Sequence, residues 1–508
     1  MDKYVATEVA HGALIGPVKQ SDLPFPIFHN PLGTVPKPGS STRRTIVDCT
    51  QRGRGINAYI PSDFHRGSPW KLSLPTTDTI ISSIQRTRSR YPGQKILLFK
   101  IDFSRFYRWF ALDPHQVRFL AVQWRGHSYL DAYFSFGNRG AALAAQRTSW
   151  AVCYIFRTKV PPAPGSINSG ASCSCLTHCL CGSNTADPYI DDCIVSVPAS
   201  LAEHQFSEFQ SLVKRLGLAL SQTPGHISPP AEQCVALGIL FNLADNTLSL
   251  PKEKLFRLMD LLQSWLGKVQ ATEKELASLT GKLLYASRVV RPGRTFLNRA
   301  LATKRQAAAA NGPITLDAGF FADISWWYAS LHDTNGISFL EFHHEVEVSL
   351  DASTDGWYGK VPGLAGFNHS TGEYWACGAP SHALEFHIAD LELYCHIIAA
   401  RAWGDQWRGS HVLGHTDNEA TYYLLKNGRS RSDVRLRMAR CFSSLQVSSG
   451  FIWDSAWIST KLNELPDFLS RSGDPAYRRK FAEACASRGI VPIHVPVKPD
   501  WLGLDTVL

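Results

Sequence analysis

Lys95-Ile-Leu-Leu-Phe-Lys-Ile-Asp-Phe103 and Tyr189-Ile-Asp-Asp-Cys-Ile-Val-Ser-Val197 are the two stretches on which the reading of the fold turns. The first is a nearly continuous apolar run behind the turn signal Pro92-Gly93, which predicts a buried strand with Asp102 at its end. The second is apolar on both sides of an acidic pair, which predicts a hairpin carrying Asp191 and Asp192 at its turn. Carboxylates gathered at strand ends are costly unless cations neutralise them. Two magnesium ions held ~3.5–4 Å apart would do so, and such a pair suits in-line phosphoryl transfer.

Working outward, residues 141–156 are Ala-rich and helix-prone, and Phe206, Phe209, Leu212, Val213 and Leu216 follow a helical period. Leu255, Leu258, Leu262 and Trp265 continue the helical region, and Thr272-Glu-Lys-Glu275 is a capping-box start to the next helix. A second αβ pattern begins near 345. Val346, Val348 and Leu350 alternate with Glu347 and Ser349 and end at Asp351, as in a half-buried strand. Beyond Gly/Asn/Pro turns and a strand signal at Tyr374–Cys377, residues 388–403 form a helix carrying Glu392. His411–Asp417 is a strand ending in an acid, Phe451–Trp453 another strand, and Asn463–Asp467 opens a final helix. Asp351, Glu392, Asp417 and Asp467 thus form a second carboxylate set suited to two metals and hydrolysis. Each acid taken singly reads as a surface residue or helix cap, and a lone Tyr-x-Asp-Asp is weak evidence.

The 508 residues carry 52 Lys+Arg against 43 Asp+Glu, a net +9. Length suggests roughly three or four domains of ~100–200 residues, and 44% apolar with 19% charged residues excludes a mainly disordered chain. No run approaches the ~20 apolar residues of a membrane span, and the N-terminus lacks a signal pattern. The expectation is a soluble intracellular protein of cytoplasm or nucleus with no membrane partner. Basic residues concentrate in three stretches, Arg86–Arg108, Lys282–Arg305 and Lys426–Arg440, as a nucleic-acid backbone partner would require. Solvated faces are the bland alternative for any one of them. Of twelve cysteines, four fall in Cys173-Ser-Cys175-Leu-Thr-His178-Cys179-Leu-Cys181. Cys173, Cys175, Cys179 and Cys181 could bind Zn²⁺, but C-x-C pairs are tighter than the usual ligand spacing, and a Ser/Cys-rich surface insertion is the preferred reading.

The flanking residues carry a family resemblance. Asn30–Lys37 with Arg44–Asp48, Lys100–Arg108, Phe134–Ala141, Tyr189–Asp192 and Ala236–Ile239 come in the order of the fingers and palm motifs of a polymerase. Leu279–Leu283 with Arg291-Pro-Gly-Arg294 follow on the thumb side, then Trp326-Trp327 and Asn335-Gly336 in a connection. Asp351-Ala-Ser353, Glu392, Thr416-Asp-Asn418 and Asn463…Asp467-Phe-Leu-Ser-Arg471 complete the series. From about Asn30 to Arg471 the chain resembles the reverse transcriptase–ribonuclease H segment of retroelements, of the DIRS-like or Gypsy-like retrotransposon kind.

The resemblance implies an α+β right-hand polymerase (fingers, palm, thumb), then a connection and an α/β ribonuclease H-like domain. The expected boundaries are fingers and palm to 250, thumb 251–310, connection 311–345, ribonuclease H 346–475 and a tail 476–508. Asp102 and Asp191, supported by Asp192, would hold Mg²⁺ (two per site, Mn²⁺ as substitute). Lys37 and Arg44 would neutralise the triphosphate, Tyr107 would gate the sugar, and Phe136 and Gly137 would line the nucleotide pocket. Phe106 stands where the family places a small residue. Asp351, Glu392, Asp417 and Asp467 would hold the second metal pair, with Asp355 an accessory or surface acid. The implied partners are an RNA template, a DNA primer, an RNA–DNA hybrid and dNTPs. The competing reading is a domesticated or decayed nucleic-acid-binding scaffold. An RNA-dependent RNA polymerase is a poorer fit, because a ribonuclease H is useful only where a hybrid is made.

Overall fold

The computed structural model describes residues 1–36, 43–51, 55–61, 71–160, 185–339 and 345–504. Lys37 and the cluster Cys173, Cys175, Cys179 and Cys181 lie outside the described residues. The chain is mixed α/β and divides into two compact units, Met1–Asn246 and Thr247–Leu508. Among the described residues, no helix is long and apolar enough to cross a membrane.

The first unit is organised by a four-stranded antiparallel sheet in the order Asp187–Tyr189, Asp192–Pro198, Ile96–Asp102, Ser228–Ala231. Its central strands are apolar over most of their length because both faces are covered. Phe99, Ile101, Cys193, Val195 and Val197 pack beneath the helices Ala141–Lys159 and Ala202–Arg215, against Val152, Phe156, Phe209 and Val213. On the other face the helix Thr77–Arg90 lies against the strand Asp192–Pro198. A separate three-stranded sheet orders Leu14–Val18, His127–Asp131 and Ala121–Trp124, and Leu32–Pro36 pairs with Arg43–Val47.

The second unit begins with the helices Lys252–Leu266, Glu273–Ala286, Asn298–Ala310 and Ala318–Ser330. The Thr272–Glu275 capping box forms as its sequence requires, with both reciprocal bonds present. Leu255, Leu258, Leu262 and Trp265 are buried, and Trp265 meets Phe320 with ring centroids 5.8 Å apart. Asn335 secures the segment from the far end, its side chain donating to the Leu250 carbonyl and accepting from the Leu250 N–H.

A six-stranded mixed sheet follows, in the order Ile452–Trp457, His411–Thr416, Val346–Trp357, Val361–Asn368, Glu373–Gly378, Ile493–His494. The helix Ile388–Trp403, whose bounds match the sequence reading, packs against it together with Asp433–Ser449. Three expectations are corrected. The strand begun at Val346 runs on past Asp351 to Trp357, and it is buried from Val348 to Ser353 instead of alternating. The stretch read as Gly/Asn/Pro turns contains a further strand, Val361–Asn368, with Gly363 packed under the Ser470 carbonyl and Gly366 under Trp375. The helix Glu464–Ser470 is not the last, since Pro475–Ser487 buries Phe481 and Cys485 against Ala365 and Phe367, and Ile493–His494 pairs with Glu373–Tyr374.

Close approach at Gly363 makes a stability prediction. A Cβ there would collide with the Ser470 carbonyl and push Val361–Asn368 away from the helix that carries Asp467. Gly363→Ala should cost about 1–3 kcal/mol, the usual range for overpacking a buried site. Gly267→Ala, where nothing lies within 4 Å, should be close to neutral. Urea unfolding followed by tryptophan fluorescence should show a lower midpoint at unchanged slope for the first variant alone.

Candidate functional site

In the first unit the sheet register places Asp102 opposite Asp192, and Asp192 opposite Tyr189, so Asp191 falls in the two-residue turn between the strands. That turn is strained, because Ile190 is β-branched and has φ 55°. The helix Ala141–Lys159 holds it there. Gln146 accepts from the Ile190 N–H at 2.7 Å and donates to the Pro188 carbonyl at 2.7 Å, and the Ser149 hydroxyl donates to the Ile190 carbonyl. Gln146 is fully buried, so the acidic turn is clamped from within the core.

The three acids are close enough to disturb one another. Burial pushes Asp191 above the usual carboxylate range, and Asp102 adds to the effect. Burial also pushes Asp192 up to about 6, with Lys100 opposing and Asp102 and Asp191 reinforcing. Two side chains contact these acids: Lys100 Nζ lies 3.4 Å from Asp192 and His226 Nδ1 lies 3.2 Å from Asp102. With Asp102 and Asp192 turned onto protein partners, these acids do not form a set with all ligand atoms within 4.8 Å. His226 was not identified from the sequence. Nothing in its surroundings there marks it as a neighbour of Asp102.

Tyr107 and Phe136 come together with ring centroids 4.7 Å apart at 82°. Burial, with Asp191 as the next contributor, pushes the Tyr107 hydroxyl up to about 12, so this phenol stays neutral beside the acids. Phe136 is 58% exposed. Gly137 has φ 99°, and a Cβ would come within 3.0 Å of the Val47 carbonyl, so glycine is required there. Asn57 fixes the same loop, donating to the Gly137 carbonyl and accepting from the Arg139 N–H. Arg44 is an exposed residue of the strand Arg43–Val47. Phe106 points into the core, against Phe103 and Phe110.

The stretch Arg86–Arg108 does not form the open basic face its composition suggests. Arg108 binds Asp131 at 2.6 Å and Glu8 at 3.1 Å, and Arg105 binds Glu8 at 2.8 Å. Arg88 donates to the Leu243 carbonyl and to Asn246, and Arg86 to Ser83. Asp131 is 1% exposed, and burial outweighs Arg108 to push it up to about 6. An acid so placed needs its guanidinium inside the protein.

In the second unit Asp351, Glu392 and Asp417 each offer a ligand atom within 4.8 Å of the others. They come from the middle of one strand, the first turns of the helix Ile388–Trp403 and the residue just after His411–Thr416. Ser470 donates to Asp351 at 2.6 Å and Asn463 donates to it at 3.4 Å, while Glu392 Oε1 accepts from the Ala352 N–H at 3.2 Å. Glu392 Oε2 is buried and has no hydrogen-bond partner among the described residues. Burial drives Asp351 and Glu392 well above the carboxylate range, and their acidic neighbours add to it. Asp467 is near enough to raise Asp351, yet its side chain turns to Arg471 at 3.0 Å and stands outside the gathered trio. Asp355 is exposed. An unpartnered carboxylate oxygen within an all-oxygen donor set fits a hard divalent cation such as Mg²⁺.

No family model matches the sequence, and no curated protein matches it. Solved structures similar to the chain include foamy viral protease-reverse transcriptase in complex with double-stranded DNA, at 15% identity and TM-score 0.47, covering 90% of this chain and 82% of that one. A dRH form in complex with double-stranded DNA matches at 15% identity and TM-score 0.47, covering 89% and 68%. The complex with an RNA/DNA hybrid matches at 14% identity and TM-score 0.46, covering 90% and 52%.

The buried trio yields a linkage prediction. Acids whose folded pKa is raised bind more protons folded than unfolded, so their contribution is full below the unfolded value near 4 and is lost as pH rises through the folded value. In EDTA, the second unit should therefore lose stability as pH rises from about 4 towards neutrality. Mg²⁺ at about 100 times its dissociation constant should restore ~2.7 kcal/mol at neutral pH. Thermal unfolding of the wild type and Glu392→Gln with and without Mg²⁺ checks this, and a metal response equal in both proteins would contradict it.

Proposed function

We propose that the chain is an RNA- and DNA-directed DNA polymerase that also cleaves the RNA strand of RNA–DNA hybrids, from a DIRS-like or Gypsy-like retrotransposon. The observation that carries this reading is the pairing of Asp102 with Asp192 on adjacent strands, with Asp191 held in the strained turn between them. A second, gathered carboxylate trio in the other compact unit supports the paired hydrolytic activity.

On this reading the first unit supplies fingers and palm. The second supplies thumb, connection and a ribonuclease H-like domain, with Pro475–Ser487 and Ile493–His494 as part of its sheet layer rather than a tail. Asp102 and Asp191 hold one Mg²⁺ pair with Asp192 in support, and Asp351, Glu392, Asp417 and Asp467 hold another. When bound, such cations stabilise the attacking and leaving oxygens of an in-line displacement. Gln146 and Ser149 keep Asp191 in place against the strain of its turn. Lys37 and Arg44 receive the triphosphate. Tyr107, edge-on to Phe136, forms the wall that a ribose 2′-hydroxyl would strike, and Gly137 lets the backbone approach the incoming dNTP. Asp467 is engaged with Arg471, and recruiting it to the trio means exchanging that ion pair for the metal.

Primer extension on a poly-rA template with dTTP and Mg²⁺, beside a hybrid labelled in its RNA strand, separates the two activities. Asp191→Asn should lower synthesis by at least about 100-fold, the loss of a few kcal/mol of transition-state stabilisation, while RNA cleavage persists. Asp351→Asn should do the reverse. Hybrid binding with neither activity in the wild type would replace the enzyme by a nucleic-acid-binding scaffold. Tyr107→Ala should erode the preference for dNTP over NTP by about 10–100-fold, read as the ratio of kcat/KM values, because bulk against one hydroxyl contributes about 1–3 kcal/mol.

A further inference from the structure

The two basic stretches Lys282–Arg305 and Lys426–Arg440 are distant in sequence and adjacent in the second unit. Asn298 donates to the Gly428 carbonyl at 2.7 Å, and Ser443 donates to Thr295 at 3.2 Å, closing a seam between them. Two cavities open along this seam. One, of about 420 Å³, is lined by Arg288, Arg294 and Lys426 among others. The larger, of about 780 Å³, is lined by Arg299, Lys304, Arg305, Arg429, Arg431 and Arg440, with Asp433 as its single acid. Arg437 already pairs with Asp433 at 3.1 Å, so that acid does little to offset the six cations.

The floor of the larger cavity is built rather than incidental. Asp323 is 1% exposed and carries two guanidiniums, Arg299 at 3.1 Å and Arg440 at 3.0 Å. Burial outweighs both and pushes Asp323 up to about 6, so two full positive charges face at most one negative. Arg440 is 7% exposed, and its Nη1 is buried without a hydrogen-bond partner among the described residues. Arg440 and Arg299 thus place positive charge beneath the cavity, and the exposed arginines above them can hold a phosphate with charge-assisted bonds. The cavity also lies at the N-terminus of the helix Asp433–Ser449, whose dipole favours an anion. Arg305, Arg429 and Arg431 stand exposed at the rim.

The geometry points to this seam as a phosphate-binding track that grips the sugar–phosphate backbone of a bound nucleic acid outside either carboxylate site. Arg440 and Arg299 form its floor, and Arg305, Arg429 and Arg431 its rim. The track reads phosphates and no base edges, so it contributes affinity and position without sequence preference. It does not depend on catalysis at either acidic set.

The test uses the full chain in EDTA, which removes turnover from the readout, with a fluorescent RNA–DNA hybrid followed by anisotropy across a salt series. Arg305→Ala/Arg429→Ala/Arg431→Ala should flatten the slope of log K against log salt by about two to three, close to one for each phosphate that the protein no longer neutralises. Arg479→Ala/Lys480→Ala, which removes two cations from the exposed face of Pro475–Ser487, should leave the slope at the wild-type value and shows that loss of surface charge elsewhere is not enough. Thermal unfolding shows whether the rim variant remains folded, and these exposed residues carry none of the floor. A slope and affinity equal to wild type in the rim variant overturn the proposal while leaving the polymerase and hydrolase assignments to their own assays. Pyrophosphate distinguishes the source of the phosphate. If it stabilises the wild type but not the rim variant, and the hybrid slope is unchanged, the cavity takes a free phosphate and the backbone assignment fails.

Discussion

Removing a carboxylate from water is the constraint around which this chain is built, because each buried acid must be answered by a cation, a proton or a donor. The protein answers some within itself. Asp131 has Arg108, Asp390 has Arg435, and Asp323 has both Arg299 and Arg440. These ion pairs join separate helices and strands. Asp351 and Glu392 are different. They are as deeply buried, Asp417 pushes both of them up, and no Lys or Arg is paired with either among the described residues. Ser470 and Asn463 supply neutral donors that orient Asp351 without cancelling its charge. For the buried acids the distinction between a structural and a chemical role follows the presence or absence of a guanidinium, and Asp467, held by Arg471, stands between the two.

The first carboxylate set lies between these extremes. Lys100 takes part of the charge of Asp192 and His226 contacts Asp102, while Asp191 is presented by the turn at Ile190. A left-handed β-branched residue costs on the order of 1–3 kcal/mol. The bonds from Gln146 and Ser149 each contribute ~0.5–1.5 kcal/mol, enough to offset that strain. Losing Gln146 would also strand the Ile190 N–H and the Pro188 carbonyl. The helix Ala141–Lys159 and the acidic hairpin are therefore one device: the core that buries Val152 and Phe156 also sets the position of Asp191.

Legibility followed the range of the interaction. Local signals were readable: the Thr272–Glu275 capping box, the helix Ile388–Trp403 to its last residue, and the strand ends at Asp102 and Asp192. Close packing between distant segments was not. Gly363 and Gly366 look like turn residues, yet they are glycines because a carbonyl and an indole from elsewhere leave no room for a Cβ, so Val361–Asn368 was missed as a strand. Residues 476–508 read as a tail, whereas Pro475, behind the Asp474 cap, opens a helix. Gln146 sits in an Ala-rich run with nothing local to distinguish it from a solvated polar residue. His226 likewise acquires meaning only through the sheet edge that brings it to Asp102.

Charge shows the same limit from the other side. Counted along the chain, Arg86–Arg108, Lys282–Arg305 and Lys426–Arg440 look alike, and the net +9 does not separate them. In the folded protein the first stretch is largely spent on Glu8, Asp131, Asp192 and backbone carbonyls. Within the other two, Arg435 and Arg437 are taken by Asp390 and Asp433. Among the cations left without an acid, Arg305, Arg429 and Arg431 are drawn from two separate segments onto one cavity. A basic count thus overstates the surface that can meet a polyanion. The field a partner feels comes from the cations whose internal acids have not already claimed them, and that inventory exists only once the chain has folded.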